Sequence, residues 1–143
     1  MPDSELVGTW ALVATEWRRA DGRHANPFGP DAVGVLTYDA AGNMSAQVMR
    51  AARPQPPGSG PAGIETAMTS AFAGYIAYFG TYTIVHARGV VVHAVIGSAF
   101  PAWVGGTHTR RFTLEADRLT LSDSVTAADG SPVEASTTWQ RIA

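Results

Sequence analysis

The chain has 143 residues, 45% of them hydrophobic and 15% charged, with a formal net charge of −2. That suffices for a real core in one domain spanning 1–143, and leaves no electrostatic footprint for nucleic acid or an anionic membrane. It has no cysteine and all ten of its basic residues are arginine, which excludes disulfides, thiolate nucleophiles, zinc–sulfur sites, Schiff-base lysines and a Walker-A loop.

Residues 6–18 read as the first strand, carrying Gly8-Thr9-Trp10 near its start. Simple alternation puts Trp10, Leu12, Ala14 and Glu16 on one face, and Ala11, Val13, Thr15 and Trp17 on the other. Asp21-Gly22 ends it, and Asn26-Pro27-Phe28-Gly29-Pro30 is a turn or short loop. A hairpin follows, from residues 33–39 through a tight turn at Ala40-Ala41-Gly42 to residues 43–50. Residues 51–62, rich in Pro and Gly, are expected to be a mobile loop. Ile64, Ala67, Met68, Ala71, Phe72, Tyr75 and Phe79 recur at spacings of three and four, which predicts an amphipathic helix over 64–79.

The remaining strands are expected over 80–87, 90–99, 107–115, 118–123 and 133–141, with turns at Arg88-Gly89, Ala116-Asp117 and Asp129-Gly130. No helical crossover fits between these runs, so neighbours are antiparallel. The fold class is all-β, an eight-stranded antiparallel up-and-down barrel with one short helix, a closure that leaves no edge to aggregate. With no signal-like leader and no apolar run of roughly 20 residues, a cytoplasmic protein that does not span a membrane is expected.

Gly8-Thr9-Trp10 resembles the Gly-x-Trp signature of lipocalins and their calycin relatives. There the Trp seals the barrel base beneath an Arg from a late strand. The resemblance implies Arg141 for that partner, with Arg111 as second choice; a guanidinium stacked on an indole is a favourable contact. Asn43-Met44-Ser45-Ala46-Gln47, Tyr78-Phe79-Gly80-Thr81-Tyr82-Thr83, Gly97 to Gly105 and Arg110-Arg111-Phe112 resemble the bacterial and fungal lipocalin-like domain family, nearly end to end. The chain departs from that pattern at Ala94, where a second His often follows His93, which argues against a two-histidine mechanism. Members and similar barrels often accompany polyketide or terpenoid biosynthesis, and some barrels of this shape are cyclases or isomerases.

The candidate site residues are polar groups set in apolar strands, where an unpaired group costs about 1–3 kcal/mol. His93 shares a strand face with Val91 and Val95 and is the candidate general acid or base. Arg110 and Arg111 are adjacent, so one faces each side of the sheet. The inward one could anchor a carboxylate, enolate or tetramate oxygen, and Arg111 is taken with His93 as catalytic. Tyr82, Trp103, Tyr78, Phe100 and Arg110 are candidate ligand contacts, with Gln47 and Glu16 added by parity alone. For all of these, ordinary core filling or a solvated surface is the competing account. His24, His86 and His108 form no metal-binding spacing, no Gly-x-Ser-x-Gly elbow exists, and no Gly-x-Gly-x-x-Gly follows a strand.

Two functions fit. One is a cofactor-free cyclase or isomerase acting on an apolar polyketide- or terpenoid-type molecule in secondary metabolism, which needs only a shaped pocket and fixed donors. The alternative is a non-catalytic carrier of a hydrophobic small molecule. Neither calls for a metal, a cofactor or nucleic acid, and a homodimer is left open.

Overall fold

The computed structural model describes residues 5–26, 28–51, 74–126 and 129–143. The strands are β1 (Gly8–Arg19), β2 (His24–Ala25), β3 (Val33–Tyr38), β4 (Asn43–Met49), β5 (Tyr75–Val85), β6 (Val90–Ser98), β7 (Thr107–Glu115), β8 (Arg118–Thr126) and β9 (Pro132–Arg141). Eight of them succeed one another antiparallel, and β9 returns to pair with β1. The barrel is therefore closed and up-and-down. β2 is a two-residue ribbon on β1 opposite Trp17 and Arg18. Among the described residues no helix is long and apolar enough to cross a membrane.

The turns follow from local chemistry. Between β3 and β4, the Asp39 carboxylate accepts hydrogen bonds from the backbone N–H groups of Ala41 (2.9 Å) and Asn43 (2.8 Å). That is the Asx geometry which makes Asp a turn residue. These backbone donors hold the Asp39 carboxyl below its ordinary value.

The helix expected over residues 64–79 is corrected where it can be seen: Tyr75 to Phe79 opens β5. Ile76, Tyr78, Gly80 and Tyr82 turn inward, while Phe79 is 54% exposed on the outer face. Tyr75 and Phe79 are four apart, a spacing that places them on one face of a strand as well as of a helix. Residues 64–73 of that helix, and all but Ala51 of the 51–62 segment, lie outside the described residues.

A β-bulge resets the parity of β1. Leu12 pairs with Trp139, but Ala14 pairs with Thr138, so Val13 is the extra residue and sits outward. An inserted residue flips every following side chain to the other face. Trp10 and Leu12 point inward before the bulge, and Thr15 and Trp17 after it. A second bulge leaves Ile96 unpaired between Phe79↔Gly97 and Gly80↔Val95. Only glycine fits at position 80, because a Cβ there would lie 1.8 Å from the Ala94 carbonyl oxygen.

One end of the barrel is sealed. Trp10 is fully buried, and its Nε1 donates to the Leu6 carbonyl at 3.1 Å. Arg141, not Arg111, covers its ring, with Cζ 4.2 Å from the centroid. The same guanidinium donates to the carbonyls of Val7 (2.5 Å) and Glu5 (2.9 Å) and to Asp117 (3.0 Å). Gly8 passes beneath it at φ +145°, where a Cβ would lie 2.6 Å from Nη1 of Arg141. The glycine of Gly-x-Trp is thus required by the arginine that covers the tryptophan. Trp139, Leu119 and Leu6 fill the remainder of this end.

Candidate functional site

Above the sealed base a polar layer crosses the barrel. Tyr38 is the last residue of β3, and the β3–β4 turn leaves it pointing inward with Leu36, each 1% exposed. Tyr78 comes from β5 and His93 from β6, where it shares the inward face with Val91 and Val95. The Tyr38 hydroxyl lies 2.6 Å from His93 Nε2, and the Tyr78 hydroxyl lies 2.7 Å from Nδ1. Both ring nitrogens are therefore occupied. Tyr82 packs edge-on against Tyr38 at 4.6 Å and donates its hydroxyl to the Asp39 carbonyl at 2.7 Å.

Tyr38, Tyr78 and His93 are all held neutral. Burial pushes His93 down to about 3, helped by the positive charge of Arg110 and the nearby His108. Burial likewise raises both Tyr38 and Tyr78; for Tyr78 the Arg110 guanidinium, as a charge and hydrogen-bond donor, works against it. Desolvation dominates here because charging any ring would strand that charge in an apolar interior.

Between this layer and the other end lies a cavity of about 470 Å³, within the range that takes a drug-sized ligand. Its wall is mostly apolar, including Ala46, Val48, Ile76, Leu121 and Trp139, with Phe28, Trp17 and Trp103 also lining it. Tyr78 and His93 form part of its surface, as do Thr15 and Arg110. Thr15 is 4% exposed, and its hydroxyl has no hydrogen-bond partner among the described residues.

Arg110 and Arg111 divide as adjacent strand residues must. His108, Arg110, Phe112 and Leu114 take one face of β7 and are half-buried, while the alternate residues are exposed. Arg110 reaches the cavity and pairs with Asp123 of β8 at 2.5 Å. Arg111, chosen from the sequence as catalytic, lies on the outside and pairs with Glu134 and Ser122. The Phe112–Leu114 alternation carried this answer, since it places Arg110 inward.

The other sequence candidates separate in the same way. Trp103 sits at the end of the short 3₁₀ turn Pro101–Trp103 and lines the cavity, edge-on to Tyr78 at 5.9 Å. Phe100 packs behind it at 4.8 Å and is not a lining residue. Tyr82 lies in the layer below the cavity rather than on its wall. Gln47 is exposed on the outer face of β4, because Met44, Ala46 and Val48 take the inner one. Glu16 is outward too, paired with Arg18 at 2.9 Å, since the bulge at Val13 reverses its parity.

Sequence reasoning passed over Tyr38, Asp123 and His108. His108 stands directly opposite His93 across β6 and β7, so a second imidazole is present although position 94 is alanine. Its ring lies 5.2 Å from Tyr78 and 4.7 Å from Trp103. Its Nε2 is buried with no hydrogen-bond partner among the described residues, and burial, then the Arg110 charge, lowers its proton affinity. Its inward parity was readable from Phe112 and Leu114. Tyr38, at a strand end, gave no such signal. Among the described residues, no group of three or more His, Cys, Asp or Glu could hold a metal ion.

Residues 7–142 match the family described as the lipocalin-like domain. The chain is also 35% identical over 86 residues to the 4'-hydroxy-3'-methoxypropiophenone carrier protein ppsC of Aspergillus oryzae. That alignment covers 55% of this chain and 78% of the relative.

Proposed function

The chain belongs to the lipocalin-like domain family, and we propose that its barrel binds and carries a neutral, largely apolar small molecule of the aromatic polyketide type. One observation carries this reading: a cavity of about 470 Å³ with a mainly apolar wall and a floor of neutral, mutually hydrogen-bonded rings. Such a space gives affinity through apolar burial, at roughly 25 cal/mol per Å² removed from water, with a few polar groups to orient the ligand. Arg110 adds no uncompensated charge, because Asp123 neutralises it. The relative named as a carrier of an aryl ketone supports the same ligand class.

A cyclase or isomerase that moves protons has less support. His93 stays uncharged down to about pH 3, and tyrosine hydroxyls occupy both its nitrogens. A general base needs a free nitrogen with a proton affinity near the working pH.

Trp17 and Trp103 line the cavity, so ligand entry is expected to change tryptophan fluorescence. Titration with 4'-hydroxy-3'-methoxypropiophenone is expected to saturate at one molecule per chain. Ala135 also lines the cavity, opposite Trp17, and Ala135→Trp is expected to fill the space and abolish that saturation while the barrel stays folded. A wild-type protein that shows no saturable change, or an Ala135→Trp variant that binds equally well, would overturn the proposal.

A further inference from the structure

The two phenols and the imidazole of the polar layer are constrained beyond their distances. A neutral imidazole has one N–H donor and one acceptor nitrogen, so His93 can donate to only one of its two tyrosines. If the proton were on Nε2, it would be donated to Tyr38, and the Tyr38 O–H would then need an acceptor of its own. Tyr38 is 1% exposed, and among the described residues its hydroxyl has no hydrogen-bond partner other than His93. That arrangement leaves a buried donor unmade, at a cost of about 1–3 kcal/mol. With the proton on Nδ1 the O–H left over is that of Tyr78, which opens on the cavity rather than into the packed core. Tyr38 donates to Nε2, and Nδ1–H donates to the Tyr78 oxygen.

The Tyr78 oxygen then accepts from His93. What is left is its own O–H, and Tyr78 lines the cavity. We infer that the chain Tyr38→His93→Tyr78 fixes the Tyr78 hydroxyl as a donor into the cavity, so that the bound molecule is recognised through a neutral acceptor oxygen, a ketone or similar carbonyl. Tyr78 is the ligand-contacting residue, and Tyr38 and His93 are positioning residues that fix the direction of its hydrogen bond. The inference rests on the binding reading above and adds a specificity to it.

The test uses two probes of like shape, 2-acetylnaphthalene and 2-ethylnaphthalene, which differ in one acceptor oxygen. Calorimetric titration of each into wild type and Tyr78→Phe gives a ketone-to-hydrocarbon affinity ratio for both proteins, which cancels the difference in their hydrophobicity. The ratio is expected to fall about 2- to 10-fold in Tyr78→Phe, the worth of one neutral hydrogen bond. Two-bond ¹H–¹⁵N spectra of wild type give an independent reading that no variant needs to survive, and are expected to show the His93 proton on Nδ1. An unchanged ratio, or a proton on Nε2, overturns the donor inference and leaves the binding reading standing. If neither probe binds wild type, both fall.

Discussion

Arg141 lies over Trp10 at 4.2 Å while donating to the backbone carbonyls of Glu5 and Val7, so one side chain clamps the N-terminal segment onto the last strand. The contact spans nearly the whole sequence and closes the barrel where β9 meets β1. Replacing it removes a cation–π contact worth roughly 0.5–2 kcal/mol and exposes two carbonyls and an indole. Arg141→Ala is expected to lower the unfolding free energy by about 2–4 kcal/mol in urea titrations. Arg141→Lys is expected to restore only part, since an ammonium cannot span both carbonyls and the ring at once. A loss below about 0.5 kcal/mol for the alanine variant would show that the clamp is not stabilising.

Ala116 offers a gain rather than a loss. It is the one non-glycine residue at positive φ among those described, at +53° in the β7–β8 turn. L-residues with a Cβ pay roughly 1–2 kcal/mol in that region. Glycine avoids the cost but gains entropy when unfolded. Ala116→Gly is expected to raise the unfolding free energy by about 0.5–1 kcal/mol, seen as a higher urea midpoint with an unchanged slope. A lowered midpoint would mean that the turn is not strained.

The paired arginines differ by face alone. Arg110 and Asp123 are partly buried partners inside the barrel, whereas Arg111 and Glu134 form an exposed pair. Removing one member of a shielded pair strands the other, while exposed pairs contribute little. Arg110→Ala is expected to cost about 1–3 kcal/mol and to weaken ligand binding. Arg111→Ala is expected to stay within about 0.5 kcal/mol of wild type on stability and to leave binding alone. Equal effects of the two in parallel denaturation and titration experiments would contradict the inward–outward assignment.

Much of the fold was legible because turn chemistry and period-two alternation are local. Gly-x-Trp led to Arg141, and the hairpin turns fell where Asp and Gly placed them. The inward set was harder to read. The bulge at Val13 has no sequence mark, so counting by twos from Trp10 put Glu16 inside and missed Thr15. In β7 the answer was present, because Phe112 and Leu114 share a face with Arg110, but the adjacent Arg111 was chosen. The polar layer was legible only in part. His93 stands out in an apolar strand, but its partner Tyr38 lies 55 residues away, and only closure of the barrel brings them together.

The His93 environment sets a pH dependence whose sign is fixed. In the unfolded chain its imidazole protonates near the ordinary value of 6.5, but in the barrel only near 3. Between those values the unfolded state binds a proton that the folded state refuses. His93 therefore stabilises the fold fully above about pH 6.5, and that stability is lost as the pH falls toward 3, by about 1.4 kcal/mol per pH unit for one proton. His108 is shifted in the same direction and adds to the slope. Urea titrations from pH 7 to 4 on wild type and His93→Gln isolate the contribution of His93, since the other groups titrate in both. Wild type is expected to lose stability more steeply than the variant below about pH 6.5. Parallel curves would mean that His93 protonates in the folded barrel at ordinary pH, and the neutral floor of the cavity would then have to be abandoned.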